Sequence, residues 1–323
     1  MTPIALSCGD PAGIGTEIAL KAWEQLGGAL PFYWIGDPRH LPRGAPHVRI
    51  GEPWEAVDAA RRAMPVLEVP FPRKAELGAL DPRNAPGVVA AIDRAVADAR
   101  AGRAGAVCTL PIHKQILMDG AGFAFPGHTE YLAHLAGDVP VAMMLASPEL
   151  RVVPVTIHIP LSEVPGALTQ ERVESAIRLA RETMIRDFGV ARPRIAVAGL
   201  NPHAGEGGRI GREEEDVIAP ALARLRAEGF AIDGPRSADT MFHAKARRGY
   251  DVAVCMYHDQ ALIPIKTVDF EGGVNVTLGL PFVRTSPDHG TAIDIAGKGI
   301  ADPASLVAAL ILAEDMARTR GLS

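Results

Sequence analysis

The chain has 323 residues, 48% of them hydrophobic, and can therefore bury a large core and form two lobes. Its net charge of -5, with the acidic residues dispersed, predicts neither a nucleic-acid surface nor a disordered tail. Asp10 follows the N-terminus too closely for a secretory signal, and no apolar run is long enough to span a membrane. Cys8, Cys108 and Cys255 lie in or beside strand-like runs and are expected to be buried and reduced. These features predict a cytoplasmic protein with no membrane partner.

Short apolar runs, most of them bounded by Gly, Pro, Asn or Asp, recur along the chain. In chain order, the predicted strands are PIALS, FYWIG, AVCTLPI, VAMMLA, VVPVTIHI, RIAVAGL and DVAVCMY. Runs of this length also fit buried helix segments, so the strand assignment depends on the helical patterns between them. The proline-rich stretch 31–86 is interpreted as the loop-rich edge of a subdomain rather than a boundary.

Four longer segments have the period of a helix: VVAAIDRAVADARAG, ERVESAIRLARETMIRDFG, EEEDVIAPALARLRAEG and PASLVAALILAEDMARTRG. In the second, Thr169 is the expected N-cap and Gly189 the expected terminator. The third has acidic residues in its first turn and basic residues in its last, as the helix dipole favours. The alternation of strands and helices predicts an α/β fold with a mixed, largely parallel sheet.

The N-terminal segment SCGDPAGIGTEIALKAWEQL follows a strand and begins a helix, which is the position of a phosphate-binding turn. Its glycine spacing matches neither the dinucleotide fingerprint nor the P-loop, and no acidic residue ends a second strand about 20 residues later. The pattern favours a plain strand-to-helix turn over a Rossmann loop, and leaves open whether that turn lines an active site.

Three histidines follow separate apolar runs: His158 in VVPVTIHIP, His203 in GLNPHAGEGG and His258 in VAVCMYHDQ. In a parallel sheet such strand ends share one edge, where neutral imidazoles can hold a divalent metal. A single histidine at a strand end is more often structural, but each of these lies among polar residues. Asp239, in SADTMF, supplies a carboxylate that could ligate the ion or orient a histidine. The lack of nearby thiolates favours an open catalytic site over a structural zinc site.

A second set of polar residues is suited to binding anions. GHTEYLA places two of them ahead of a helical pattern, and the others follow His258 in PIKTVDFEGGVNVTLGLPFVRTS. Surface charge is an equally good interpretation of the cations, and the same ambiguity applies to Lys114. The candidates are His128, Thr129, Lys266, Asn275 and Arg284.

Seven segments in order, GDPAGIGTEI, PIHK, GHTEYLA, GLNPHAGEGG, ADTMF, YHDQALIPIK and GVNVTLGLPFVRTSPDHGTA, closely resemble the 4-hydroxythreonine-4-phosphate dehydrogenase family of pyridoxal 5'-phosphate biosynthesis. The resemblance extends from about Ile4 to Ala313. It implies that His158, His203 and His258 are metal ligands. It also implies a homodimer with active sites at the subunit interface, where His258 reaches into the partner's site. The family's substrate-contacting positions correspond to His128, Thr129, Lys266, Asn275 and Arg284.

A second resemblance concerns the cofactor. The segment 288–303, DHGTAIDIAGKGIADP, is similar to the adenosine-binding loop of isocitrate and isopropylmalate dehydrogenases. It implies that NAD or NADP is bound around His289, Gly290, Thr291 and Asp294. The implied fold is isocitrate dehydrogenase-like rather than Rossmann: residues 1–323 form one catalytic chain of two interleaved α/β/α subdomains, with the active site in the cleft between them.

The implied reaction is oxidation of 4-phosphooxy-L-threonine at C3, followed by decarboxylation, with one zinc, cobalt, magnesium or manganese ion per site. Lys266 and Asp239 are the catalytic candidates, and Lys266 is either a proton-transfer group or a carboxylate anchor. A related dehydrogenase of erythronate or threonate 4-phosphate is the nearest alternative. A non-catalytic phosphoacid-binding protein or metal sensor is an alternative from another class, against which the full set of polar residues argues.

Overall fold

The structure is a computed structural model that describes residues 2–322. The chain divides into two compact units, residues 1–140 with 280–323 and residues 141–279. Within residues 2–322, no helix has both the length and the hydropathy needed to span a bilayer.

The first unit is built on a parallel sheet with strand order β3-β4-β2-β1-β5-β12. Its strands are β1 (Ile4–Ser7), β2 (Phe32–Gly36), β3 (His47–Ile50), β4 (Met64–Glu68), β5 (Ala106–Thr109) and β12 (Arg284–Pro287). Its helices are α1 (Gly15–Leu26), α2 (Ala56–Ala59), α3 (Ala85–Arg100), α4 (Lys114–Ala121), α5 (His128–Leu135) and α11 (Ala304–Thr319). Every residue of β1, β2 and β5 is buried, as expected for strands covered on both faces.

The second unit has strand order β11-β6-β7-β10-β8-β9, with antiparallel pairs at β11-β6 and β6-β7 and parallel pairs elsewhere. Its strands are β6 (Ala142–Ala146), β7 (Arg151–Pro154), β8 (Arg194–Ala198), β9 (Ala231–Arg236), β10 (Val252–Cys255) and β11 (Val274–Leu278). Its helices are α6 (Val164–Ala167), α7 (Gln170–Arg186), α8 (Ala219–Ala227), α9 (Ala244–Arg247) and α10 (His258–Val268). The predicted fold class, α/β with a mixed and largely parallel sheet, is confirmed.

The predicted helices are present, with shifts at their ends. The Thr169 hydroxyl accepts a hydrogen bond from the Arg172 amide and so caps α7, as expected. Helix α3 begins before the predicted start at Val88, because Pro86 fits in a first turn where no amide donor is needed. The segment 214–218 is a π-helical turn that leads into α8.

The three cysteines are buried and free, as predicted. Burial raises the pKa of the Cys108 thiol to about 12, so this thiol is protonated at neutral pH. Burial likewise raises the pKa values of Cys8 and Cys255. These side chains therefore serve as small apolar groups in the core.

Candidate active site

Two of the predicted metal ligands lie side by side. His158 follows β7, and His258 begins α10 three residues after the end of β10; these two strands are parallel neighbours. The imidazole ring centroids are 5.7 Å apart, and both side chains line a cavity of about 250 Å³. Asp259 accepts a hydrogen bond from Nδ1 of His258 at 2.7 Å. That bond fixes the tautomer and leaves Nε2 as the nitrogen that can bind a metal.

Hydrogen bonds around the strand ends hold the two histidine loops in place. The Val155 amide donates to the Cys255 carbonyl at 2.8 Å, and the Thr156 hydroxyl donates to the Met256 carbonyl at 2.8 Å. The backbone then takes a left-handed conformation at His158, with φ 49°. A non-glycine residue in this region is strained, and such strain is concentrated at functional sites.

Gln260 is a positioning residue whose role the sequence analysis did not identify. Its buried side chain accepts a hydrogen bond from the Met256 amide and donates to the Gly199 carbonyl, both at 2.7 Å. It thereby joins the end of β10 to the end of β8, the strand that precedes His203. The available signal was an uncharged polar residue beside His258 and Asp259 in the first turn of α10.

His203 is exposed in the turn formed by residues 202–206 and also has a left-handed backbone, with φ 52°. Asn201 anchors this turn because its amide N–H donates to Glu214 at 2.7 Å and its side chain donates to Glu213 and Glu214. Glu214 is buried, and no sequence motif marks it. Asp239 is exposed in a turn at 238–240 that packs against the His203 turn, and it accepts a hydrogen bond from Ser237.

The imidazoles of His158 and His258 are a close pair of candidate metal ligands. Among residues 2–322, no group of three or more His, Cys, Asp or Glu side chains is placed to hold a metal ion. The paired rings of His158 and His258 are suitable nitrogen donors for a divalent ion, whereas His203 and Asp239 lie outside that pair. The three-histidine ligand set therefore stays a prediction. Within one chain, His258 lies beside His158.

Lys266 lies on the same helix as His258, and both side chains line a cavity of about 390 Å³. Lys266 is half-buried, and its Nζ is 5.7 Å from the centroid of the Phe270 ring. Asn275, in β11, is half-buried, and its side-chain oxygen is shielded from solvent with no hydrogen-bond partner among the described residues. A buried oxygen of this kind is suited to accept a hydrogen bond from a ligand.

In the first unit, Arg284 and His128 lie close enough for the charge on Arg284 to act on the His128 ring. Arg284, in β12, is 3% exposed and donates to the Thr109 hydroxyl at 2.6 Å. Burial lowers the pKa of Arg284 to about 10, so the guanidinium stays charged at neutral pH. Burial, reinforced by the charge on Arg284, lowers the pKa of His128 to about 3. His128 and the half-buried Thr129 begin α5, and the free backbone amides of a helix N-terminus are suited to bind an anion.

The predicted cofactor residues lie in a loop that packs against the glycine-rich turn after β1. The Ile14 amide donates to the Thr291 carbonyl at 3.1 Å, and a Cβ added to Gly13 would lie 2.6 Å from that same oxygen. Glycine at position 13 is therefore required for close approach of the two loops. Nδ1 of His289 lies 2.9 Å from the Gly290 carbonyl, whereas Asp294 is exposed.

Several known proteins are similar to this chain in sequence and structure. A 4-hydroxythreonine-4-phosphate dehydrogenase of Paracoccus denitrificans is 62% identical over 98% of this chain and 98% of its own. A crystal structure of a protein of that name from Klebsiella pneumoniae has a TM-score of 0.90 and 41% identity, covering 98% of this chain and all of the other. A terephthalate 1,2-cis-dihydrodiol dehydrogenase from Burkholderia xenovorans has a TM-score of 0.68 and 32% identity, covering 99% and 98%.

These relatives are all named as dehydrogenases, and that is the class of protein which this fold and site define. The family model described as pyridoxal phosphate biosynthetic protein PdxA matches residues 29–313. The chain belongs to this family, as the sequence motifs predicted.

Proposed function

We propose that the protein catalyses NAD-dependent, metal-assisted oxidation of 4-phosphooxy-L-threonine at C3. The product, 2-amino-3-oxo-4-phosphooxybutanoate, decarboxylates to 3-amino-2-oxopropyl phosphate, a step in pyridoxal 5'-phosphate biosynthesis. The observation that carries this proposal is the placement of His158 and His258, 5.7 Å apart, at the carboxyl ends of neighbouring parallel strands. Family membership and the 62% identity to a relative of that name support the same substrate.

His158, His203 and His258 are the proposed ligands of one zinc, cobalt, manganese or magnesium ion. When bound, such an ion is a Lewis acid that lowers the pKa of a nearby alcohol and favours charge on oxygen. Asp259 contributes by holding the His258 ring with Nε2 available. Asp239 is proposed to orient a ligand or to join the metal site, since its turn packs against that of His203.

The other polar residues bind substrate and move protons. Arg284, His128 and Thr129 bind the phosphate, and the side-chain oxygen of Asn275 accepts a hydrogen bond from the substrate's ammonium or hydroxyl group. Lys266 accepts the hydroxyl proton or anchors the carboxylate. A nicotinamide cofactor held by the loop at 289–294 would accept the hydride that leaves C3. Cleavage of the C1–C2 bond would then release carbon dioxide, and C2 would gain a proton.

The cofactor is proposed to bind at the loop formed by His289, Gly290, Thr291 and Asp294. We also propose a homodimer in which His258 completes the partner's site. Among the described residues of one chain, His158, His203 and His258 do not form a three-ligand group, and a second subunit is a physical route to a complete ligand set.

Reduction of NAD by the purified protein tests the substrate. Absorbance at 340 nm is followed with 4-phosphooxy-L-threonine, erythronate 4-phosphate and threonate 4-phosphate in parallel, each with and without zinc. The proposal predicts that 4-phosphooxy-L-threonine has the highest kcat/KM and that a chelator abolishes its oxidation. Preference for either sugar acid would overturn the substrate assignment, and no NADH with any of them would favour a binding protein.

Hybrid dimers test the metal ligands and the shared site together. His203→Ala and His258→Ala should each be inactive, with zinc affinity lowered at least 10-fold by calorimetry, whereas the exposed His47→Ala should match the wild type. If His258 serves the partner, unfolding and refolding the two inactive variants together should restore roughly one quarter of wild-type activity, because half the dimers are hybrids with one intact site. No recovery would show that each site uses the histidines of a single chain.

A further inference from the structure

Glu214 is a buried carboxylate in the second unit to which the function proposed above gives no role. Its side chain is 3% exposed, and no Lys, Arg or His among residues 2–322 forms a salt bridge with it. Burying an ionisable group without an opposite charge is costly. Glu214 also begins the π-helical turn 214–218, and such turns are frequent at functional sites. Both features indicate that this carboxylate does more than fill space.

The hydrogen bonds of Glu214 are directed at the residue that precedes the His203 turn (202–206). Its Oε1 accepts from the backbone N–H of Asn201 at 2.7 Å, and its Oε2 accepts from Nδ2 of the same residue at 2.9 Å. One carboxylate therefore fixes both the backbone and the side chain of Asn201.

Two glycines allow the backbone to pass close to this carboxylate. A Cβ added to Gly199, directly after β8, would lie 2.9 Å from Oε1 of Glu214, and a Cβ added to Gly205 would lie 2.6 Å from Oε2. A side chain at either position would displace the carboxylate or the backbone. The end of β8 and the His203 turn are thus packed directly against Glu214.

The His203 turn needs this support because its backbone is left-handed. Every residue from 203 to 208 has a positive φ, and three of them are not glycine: His203 at 52°, Ala204 at 51° and Glu206 at 46°. Non-glycine residues are strained in this region. Such a conformation persists only where the surrounding contacts enforce it.

We propose that Glu214 is a positioning residue for His203: its carboxylate holds the left-handed turn in the conformation from which the imidazole binds the metal. This inference rests on the proposed function, since it assumes that His203 is a metal ligand. Glu214 acts through Asn201 and Gly205 and is not itself a ligand. A histidine held in its binding conformation loses less conformational entropy when it binds the ion, and the affinity of the site is higher for that reason.

Zinc calorimetry on the full chain tests this role without turnover. Glu214→Gln keeps the size of the side chain and removes one acceptor, and it should weaken zinc binding by about tenfold, the lower end for residues that orient metal ligands. Asn201→Ala should have a similar effect. The double variant should be no weaker than either single variant, because both changes remove the same contact. Asp187→Asn neutralises a carboxylate that is also 3% exposed, at the end of α7, and this matched control should bind zinc like the wild type.

Hydrogen exchange on the metal-free protein separates positioning from a general loss of stability. The amides of Asn201, Ala204 and Ile210 are hydrogen bonded to Glu214, Asn201 and Gly205 respectively. They should exchange faster in Glu214→Gln than in the wild type, whereas the amides of β10 should be unchanged. Asn201→Ala provides the same comparison for Ala204 and Ile210 if Glu214→Gln does not fold.

Wild-type zinc affinity in Glu214→Gln, additive losses in the double variant, or faster exchange throughout the second unit would overturn the inference. If His203→Ala loses zinc and Glu214→Gln does not, only the role of Glu214 fails. If the wild type binds no zinc, this inference and the proposed metal site fail together. If Glu214→Gln weakens zinc as expected and no substrate is oxidised, the role of Glu214 stands and the proposed reaction fails.

Discussion

Replacement of Arg284 by methionine isolates the contribution of one buried cation to substrate binding. The guanidinium is 3% exposed and donates to the Thr109 hydroxyl, so its position is fixed before substrate arrives. Methionine has a similar length and no charge. The phosphate of the substrate would therefore lose a charge-assisted hydrogen bond. The folded protein would also lose a buried charge, whose desolvation is costly.

The expected magnitude follows from that contact. A hydrogen bond to a charged group is worth about 1.5–3 kcal/mol, which corresponds to a decrease in kcat/KM for 4-phosphooxy-L-threonine of about 10- to 150-fold. The KM for NAD should stay within about twofold, because the change removes no group from the proposed cofactor loop. The free energy of unfolding without substrate should be unchanged or higher, as is common when a hydrophobic residue replaces a buried charge.

Steady-state kinetics at 340 nm and urea unfolding measure these quantities, with Arg62→Met as a control for the loss of a surface cation. Competitive inhibition by inorganic phosphate should weaken together with substrate binding. Arg284→Lys should restore part of both, because lysine returns the positive charge. An unchanged KM for the phosphorylated substrate, with phosphate inhibition intact, would refute an anion-binding role for Arg284.

Three further predictions concern pH, the cofactor loop and stability. The pKa of His128 is about 3 in the folded protein and about 6.5 in the unfolded chain. Between these two pH values, only the unfolded chain takes up this proton. The free energy of unfolding should therefore fall as the pH drops below about 6.5, more steeply than in His128→Asn. Gly13→Ala should raise the KM for NAD by about tenfold and leave the substrate KM unchanged, because the added Cβ would displace Thr291; equal effects on both would contradict this. Asp98→Ala should lower the free energy of unfolding by about 3 kcal/mol in urea titrations, since the buried carboxylate accepts from the Tyr33 hydroxyl at 2.9 Å, and kcat should not change.

Elements with a strong local pattern could be predicted from the sequence. Helix α7 has a 3.6-residue stripe and the Thr169 cap, and these short-range features specify a helix before any tertiary contact forms. The mostly apolar runs of β1, β2 and β5 were predicted as strands because each is short and apolar. The run VVPVTIHI was predicted as a longer strand than β7, which ends at Pro154.

Strand β12 shows why other elements could not be predicted. Its sequence, Arg284–Pro287, is polar and lacks an apolar run, yet each of its residues is buried. Burial there comes from pairing with β5 and packing under α11, contacts between residues far apart in the chain. A search for local hydrophobicity cannot detect such a strand.

The sequence by itself determined the chemistry available: imidazoles after buried strands, cations and a helix start suited to anions, and a glycine turn unlike a dinucleotide fingerprint. Tertiary structure decided which of these groups meet. His158 lies beside His258 because β7 and β10 are paired, whereas His203 follows β8 on the other side of β10. It also brought His40, Arg43, Lys74 and Gly297 to one cavity. The order of the strands and the meeting of distant loops depend on long-range hydrogen bonds and packing. No local residue pattern specifies these contacts.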